Sequence, residues 1–220
     1  MKEGGRMDSP DVPEEIISIC TALGKSLKRC KEDEERIEYA KKALPNLLLN
    51  RQVFAGLLRN VIEGAAYPDL KRATMFDNEL ILYTDPSRLF SLRLFLWGPL
   101  EYTVIHDHNS WGVIGPVSGV LDVFNYIRED DGSKDGYARI MESEKLKCLP
   151  GDTAYTLRLD KGIHKIGNPA EDTMVSLSFY GNPIKRSYLQ AFEMKNNRVY
   201  RILSPQTKKK MLAKKFLRLL

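Results

Sequence analysis

Apolar positions in the first third of the chain recur every three to four residues, the spacing of one helix face. Ile16, Ile17, Ile19, Cys20 and Leu23 form the first such set. Its start is marked by Asp11-Val12-Pro13-Glu14-Glu15, an acidic cap with proline in the first turn and acids after it. Ile37, Ala40, Ala43, Leu44, Leu47 and Leu48 predict a second helix over Glu34 to Leu49, broken by Pro45. Val53, Leu57, Leu58, Val61 and Ile62 predict a short third helix. None of these carries residues arranged for chemistry, so 13–70 reads as a helical packing region. Residues 1–12 read as disordered.

The period then drops to two. Leu80 to Tyr83 and Phe90 to Trp97 predict strands separated by the turn Asp85-Pro86-Ser87. Further strands are predicted over 102–107, 111–115, 119–127, 137–147, 153–158, 163–166 and 173–180. Gly-Pro, Asp-Asp-Gly, Leu-Pro-Gly-Asp and Asn-Pro turns punctuate them. Many short strands of this kind predict a mainly β fold over 75–200, a barrel or double-sheet jelly roll. The stretch 205–220 predicts a basic amphipathic C-terminal helix, with Met211, Leu212, Phe216, Leu219 and Leu220 on one side. A helix docked on the body is expected there, with a membrane-surface or partner-binding helix as the alternative.

Composition adds limits. A chain of 220 residues, 43% hydrophobic and 29% charged, fits one ordinary domain. The net charge is +5, but the last 16 residues hold six cations and no acid, so the rest nets about −1. A near-neutral body argues against a nucleic-acid partner. No apolar run approaches the ~18 residues that span a bilayer, and the N-terminus is polar and acidic, unlike a signal peptide. A soluble cytoplasmic protein is expected. Cys20, Cys30 and Cys148 are few and odd in number, which predicts reduced thiols.

The candidate chemistry lies in the histidines. The chain has three: His106, His108 and His164. On a strand, the two-residue period turns His106 and His108 to one face. A His-x-His pair is by itself often a core or surface feature. Two neutral imidazoles converging on one side of a strand are nonetheless a ready start for a metal site. The donor set alone allows Fe, Zn, Ni, Mn or Cu. In Val175 to Tyr180 the same period puts Ser176, Ser178 and Tyr180 on one face, opposite Val175, Leu177 and Phe179. Three hydroxyls on an otherwise apolar strand need partners. They either bond one another and buried water, or Tyr180 lines a metal cavity and donates to a bound ligand.

The run from His106-x-His108 through Gly112 and Gly119, then Gly151 and His164 with Asn168, resembles the two motifs of the cupin superfamily. The family's usual glutamate ligand is missing; Gly112 or Val113 stands in its place. Trp97-Gly98-Pro99, Ile105 to His108, Trp111 to Gly115, His164 through Asn168-Pro169 and Val175 to Gly181 are more specifically similar to the bacterial thiol dioxygenases, cysteine dioxygenase and 3-mercaptopropionate dioxygenase. The similarity spans roughly residues 75 to 185. It implies a cupin barrel with Fe(II) held by His106, His108 and His164. It implies an enzyme that takes a small thiol and O2 and oxidises the sulfur to a sulfinate, and it leaves a homodimer open.

The cysteine of the animal enzymes' Cys–Tyr crosslink is absent at Gly112 and Val113, as in the bacterial relatives. Two departures stand out. The family's Ser-x-His-x-Tyr relay reads Ser176-Leu177-Ser178-Phe179-Tyr180, so Ser178 replaces its histidine. The arginine that holds the substrate carboxylate falls at Glu79. Glu79 then either faces the cavity and prefers an amine or other cationic group, or lies outside it and pairs with a surface base. Arg93 is a spare candidate for binding an anion. A substrate other than a typical thiol carboxylate is expected.

Overall fold

The computed structural model describes residues 12–63 and 75–218; the disorder expected for 1–12 and the join between helices and strands lie essentially outside them. Helices α1 (Glu14–Leu27), α2 (Asp33–Leu48) and α3 (Arg51–Ile62) come first. Each buries one stripe: Ile16, Cys20, Leu23 and Leu27 from α1, Ile37, Ala40, Leu44, Leu47 and Leu48 from α2, and Val53, Phe54 and Leu57 from α3. Pro45 does not break α2, contrary to the sequence expectation. An interior proline costs about 3 kcal/mol. Leu44, Leu47 and Leu48, all 0% exposed, each return about 1.5–3 kcal/mol on burial, so packing wins.

The strands are β1 (Glu79–Thr84), β2 (Phe90–Trp97), β3 (Ile105–His106), β4 (Gly112–Pro116), β5 (Leu121–Arg128), β6 (Ile140–Cys148), β7 (Ala154–Thr156), β8 (Ile163–Gly167), β9 (Met174–Gly181), β10 (Leu189–Glu193) and β11 (Arg198–Ile202). They form two antiparallel sheets, ordered β1-β2-β9-β4-β7 and β11-β10-β3-β8-β5-β6. This is the mainly β double-sheet barrel expected. The strand expected over 102–107 shrinks to two residues plus a bridge from Tyr102 to Gly167. Strands β10 and β11 were not anticipated. Their hairpin turns at Asn197, which takes the left-handed conformation at φ 49°.

Alternation assigns each face of the first sheet. Leu92, Leu94, Val113, Leu177 and Phe179 join the helices in one core. Phe95, Trp97 and Ile114 point the other way and pack with Leu121, Val123 and Ile166 between the sheets. Ser176, Ser178 and Tyr180 therefore face the barrel interior. A helix α4 (Pro205–Phe216) ends the described chain, capped by Ser204, whose Oγ accepts from the Thr207 N–H. From Lys208 to Arg218 every residue is exposed, so this helix is not docked on the body as expected.

Candidate metal centre

Antiparallel register places His106 of β3 directly opposite His164 of β8, residues 58 apart in sequence. His108 lies two residues past His106, in the turn that leaves the strand, and its ring meets the other two. His108 Nε2 and His164 Nε2 are 2.8 Å apart. Ring centroids lie 4.6–5.0 Å from one another, and one ring nitrogen from each histidine falls within 4.8 Å of the others. His106 Nδ1 is 2.8 Å from the Val104 carbonyl. A carbonyl can only accept, so Nδ1 carries the proton and Nε2 keeps its lone pair.

Burial disfavours the charged imidazoles. It lowers His106 to about 4. Burial first, then the neighbouring histidines, takes His108 and His164 well below the ordinary range. All three are neutral near pH 7 and available as ligands. Two ligand nitrogens at right angles on one ion would be about 2.9 Å apart, so the observed 2.8 Å suits a shared cation. Without one, two lone-pair-bearing nitrogens would face each other unless one carried a proton. The donor set thus fits a divalent metal bound by His106, His108 and His164.

Asp107, between the two ligands, points away from them and is 0% exposed. Both its oxygens accept from Arg186, each at 2.7 Å, and Oδ1 also accepts from the Gln190 N–H at 2.7 Å. Burial pushes this carboxyl up, while Arg186 and Gln190 pull it down. Arg186 also bonds Asn109, and the Leu159 N–H donates to the His108 carbonyl at 2.8 Å. These contacts fix the backbone on both sides of His108. Sequence reasoning missed Asp107 and Arg186. The two-residue period did carry a signal, because a carboxylate opposite inward histidines on an inner strand needs a cation.

Beside the histidines lies a cavity of about 280 Å³, lined in part by His108, Tyr180, Phe95, Phe76, Glu79 and Arg93. Tyr180 stacks on His108, with ring centroids 5.8 Å apart and planes at 18°. Burial and then Glu79 push its phenol up to about 12, against smaller opposing effects of Arg93 and Ser178. The Ser178 hydroxyl is buried with no hydrogen-bond partner among the described residues. Ser176 Oγ, by contrast, accepts from Trp97 Nε1 at 2.9 Å. The three hydroxyls do not bond one another. Asn168 stands apart from the metal ligands and staples a turn, donating to the Gly98 and Asp172 carbonyls.

Glu79 faces the cavity and is 4% exposed, but its partner there is Arg93. Its other oxygen accepts from the Met75 N–H at 3.0 Å. The Arg93 guanidinium lies 5.2 Å from the Tyr180 ring centroid and also donates to Ser91 Oγ. The two residues considered separately in the sequence are therefore one ion pair. Gly112 sits opposite Tyr180 across the β4–β9 ladder. A Cβ there would lie 2.6 Å from the tyrosine ring, so the close stacking requires glycine.

Two facing antiparallel sheets thus enclose three histidines, supplied by β3, the turn after it and β8. The barrel is a double-sheet, mainly β fold. No protein-family model matches the chain. Among solved structures, a cupin superfamily protein from Desulfitobacterium hafniense is 14% identical over 47% of this chain and 74% of its own, with a TM-score of 0.33. A cupin 2 domain-containing protein from Halorhodospira halophila is 17% identical over 55% of this chain and 73% of its own, at 0.39. A DMSP lyase from Ruegeria pomeroyi is 11% identical over 49% of this chain and 48% of its own, at 0.35. Overlaps this slight do not bear on what the barrel described here does.

Proposed function

We propose that this protein is a non-haem Fe(II) thiol dioxygenase acting on a small thiol that is not a typical thiol carboxylate. The observation that carries the reading is the convergence of three neutral, buried histidines, one of which, His108, lines a small cavity together with Tyr180. The net reaction balances as RSH + O2 → RSO2H. Both oxygen atoms join sulfur, sulfur gives up four electrons, and O2 takes them. Bound iron supplies the redox activation of O2 and a seat for the thiolate. The protein's part is to hold the histidines neutral, exclude water with Phe76 and Phe95, and keep Tyr180 protonated as a hydrogen-bond donor.

The substrate preference follows from Glu79 and Arg93. A substrate carboxylate has to displace Glu79 from Arg93, and a substrate ammonium has to displace Arg93 from Glu79. Either exchange leaves one buried charge less well paired, which is costly. A small thiol with an uncharged far end avoids both. The cavity volume also suits a molecule below drug size.

Metal analysis of natively purified protein, joined to an O2-electrode screen of small thiols, tests the reading. Iron is expected, with O2 consumed one-to-one with thiol and faster for thiols without a carboxylate than for cysteine. Zinc or nickel in the site, with no thiol-dependent O2 uptake after iron loading, would instead identify a Lewis-acid cupin acting on a carbon substrate or a non-catalytic ligand sensor.

A further inference from the structure

Past Thr207, every residue of helix α4 and of the chain to Arg218 is exposed, and none of the six cations there takes part in an ion pair among the described residues. At 100° per residue, Leu212, Ala213, Phe216 and Leu217 fall on one broad face, interrupted in the first turn by Lys209. Lys208, Lys210, Lys214, Lys215 and Arg218 fall on the other, with Met211 among them. Leu212 is 52% exposed, Phe216 61% and Leu217 69%.

We infer that α4 is a surface-binding helix for an anionic lipid bilayer. The occupant of this face has to be apolar and anionic at once. A second copy of α4 meets the first condition and fails the second, because it brings the same cations and no acid. A nucleic acid meets the charge condition and leaves Leu212, Phe216 and Leu217 in water. A specific protein groove is disfavoured by the residue types. Protein interfaces draw on tryptophan, tyrosine and arginine and avoid lysine, whereas five of these six cations are lysines and the helix has no tyrosine or tryptophan. A fluid anionic surface needs no directional contact. It takes the apolar face into the acyl boundary while the lysine stems extend back to the phosphates. Ser204 and Thr207, at the start of the helix, line the cavity beside His108.

Flotation of the full chain with vesicles tests this. Binding is expected to vesicles containing phosphatidylserine, to be weak to phosphatidylcholine alone, and to fall as salt rises. Each cation near the surface is worth roughly fivefold in partitioning, so the triple variant Lys208→Gln, Lys210→Gln, Lys214→Gln should lose on the order of 100-fold. Phe216→Ser should weaken binding while the cations remain. Because these side chains are all exposed, the melting temperature of each variant should match the parent. No binding to anionic vesicles, or binding unaffected by the variants, overturns the inference. So does a dimer of the parent in lipid-free solution that Phe216→Ser dissolves, since α4 would then be covered by a second copy.

Discussion

Removing Arg186 should unsettle the metal site without touching a ligand. Asp107 is fully buried and the Arg186 side chain is 12% exposed. In Arg186→Met the aliphatic stem is retained, but the carboxylate between His106 and His108 keeps only the Gln190 N–H. Breaking a buried pair by removing one partner costs about 3–5 kcal/mol. For a chain of this size that is a fall of about 6–20 °C in Tm. Burial, now less opposed, drives Asp107 to take up a proton. Asp107→Asn in the same background removes the stranded charge, so the double variant should recover much of the loss. The coupling expected from a cycle of urea denaturations is about 2–3 kcal/mol. Loosening this support should also weaken Co(II) binding by about 10–100-fold, read from its visible absorption. An Arg186→Met protein within about 1 kcal/mol of the parent, or a double variant no better than the single, would refute the reasoning.

Three other outcomes can be checked on purified protein. Gly112→Ala places a methyl 2.6 Å from the Tyr180 ring, and overpacking of this kind costs about 1–3 kcal/mol; an unchanged melting temperature would show that the ring moves freely. Ser178→Ala removes a buried hydroxyl that has no partner, so stability should hold or rise by up to about 1 kcal/mol, and a clear loss in urea denaturation would reveal a bond to Tyr180. Arg128, followed by the Arg139 and Gly132 N–H groups, holds the Asp130 carboxyl down at about 2. A depressed acid gives stability that is present above its unfolded value near 3.9 and is lost as pH falls toward about 2. Asp130→Asn should flatten the melting temperature across that window, and an identical acid profile in the variant would contradict the assignment.

Periodicity alone determined much of this protein. It separated helices from strands, put Ser176, Ser178 and Tyr180 on the barrel face of β9, and turned His106 and His108 to one side as candidate ligands. These are local properties, because side-chain direction follows from backbone period whatever the chain meets later. The convergence of His164 on His106 was different. It depends on register between strands 58 residues apart, and the sequence suggested it only through resemblance. Tertiary packing also overrode local rules. Three fully buried leucines outweighed Pro45, and a strand expected over six residues kept two, with an isolated bridge at Tyr102.

Charge partners were the least legible part. Glu79 and Arg93 lie on adjacent strands, and which acid meets which base depends on the β1–β2 register, irregular between Ile81 and Tyr83. Asp107 finds Arg186 across 79 residues. A buried charge requires a partner on energetic grounds that composition already states. Which partner it finds is a question of distance, and only the folded chain decides distance.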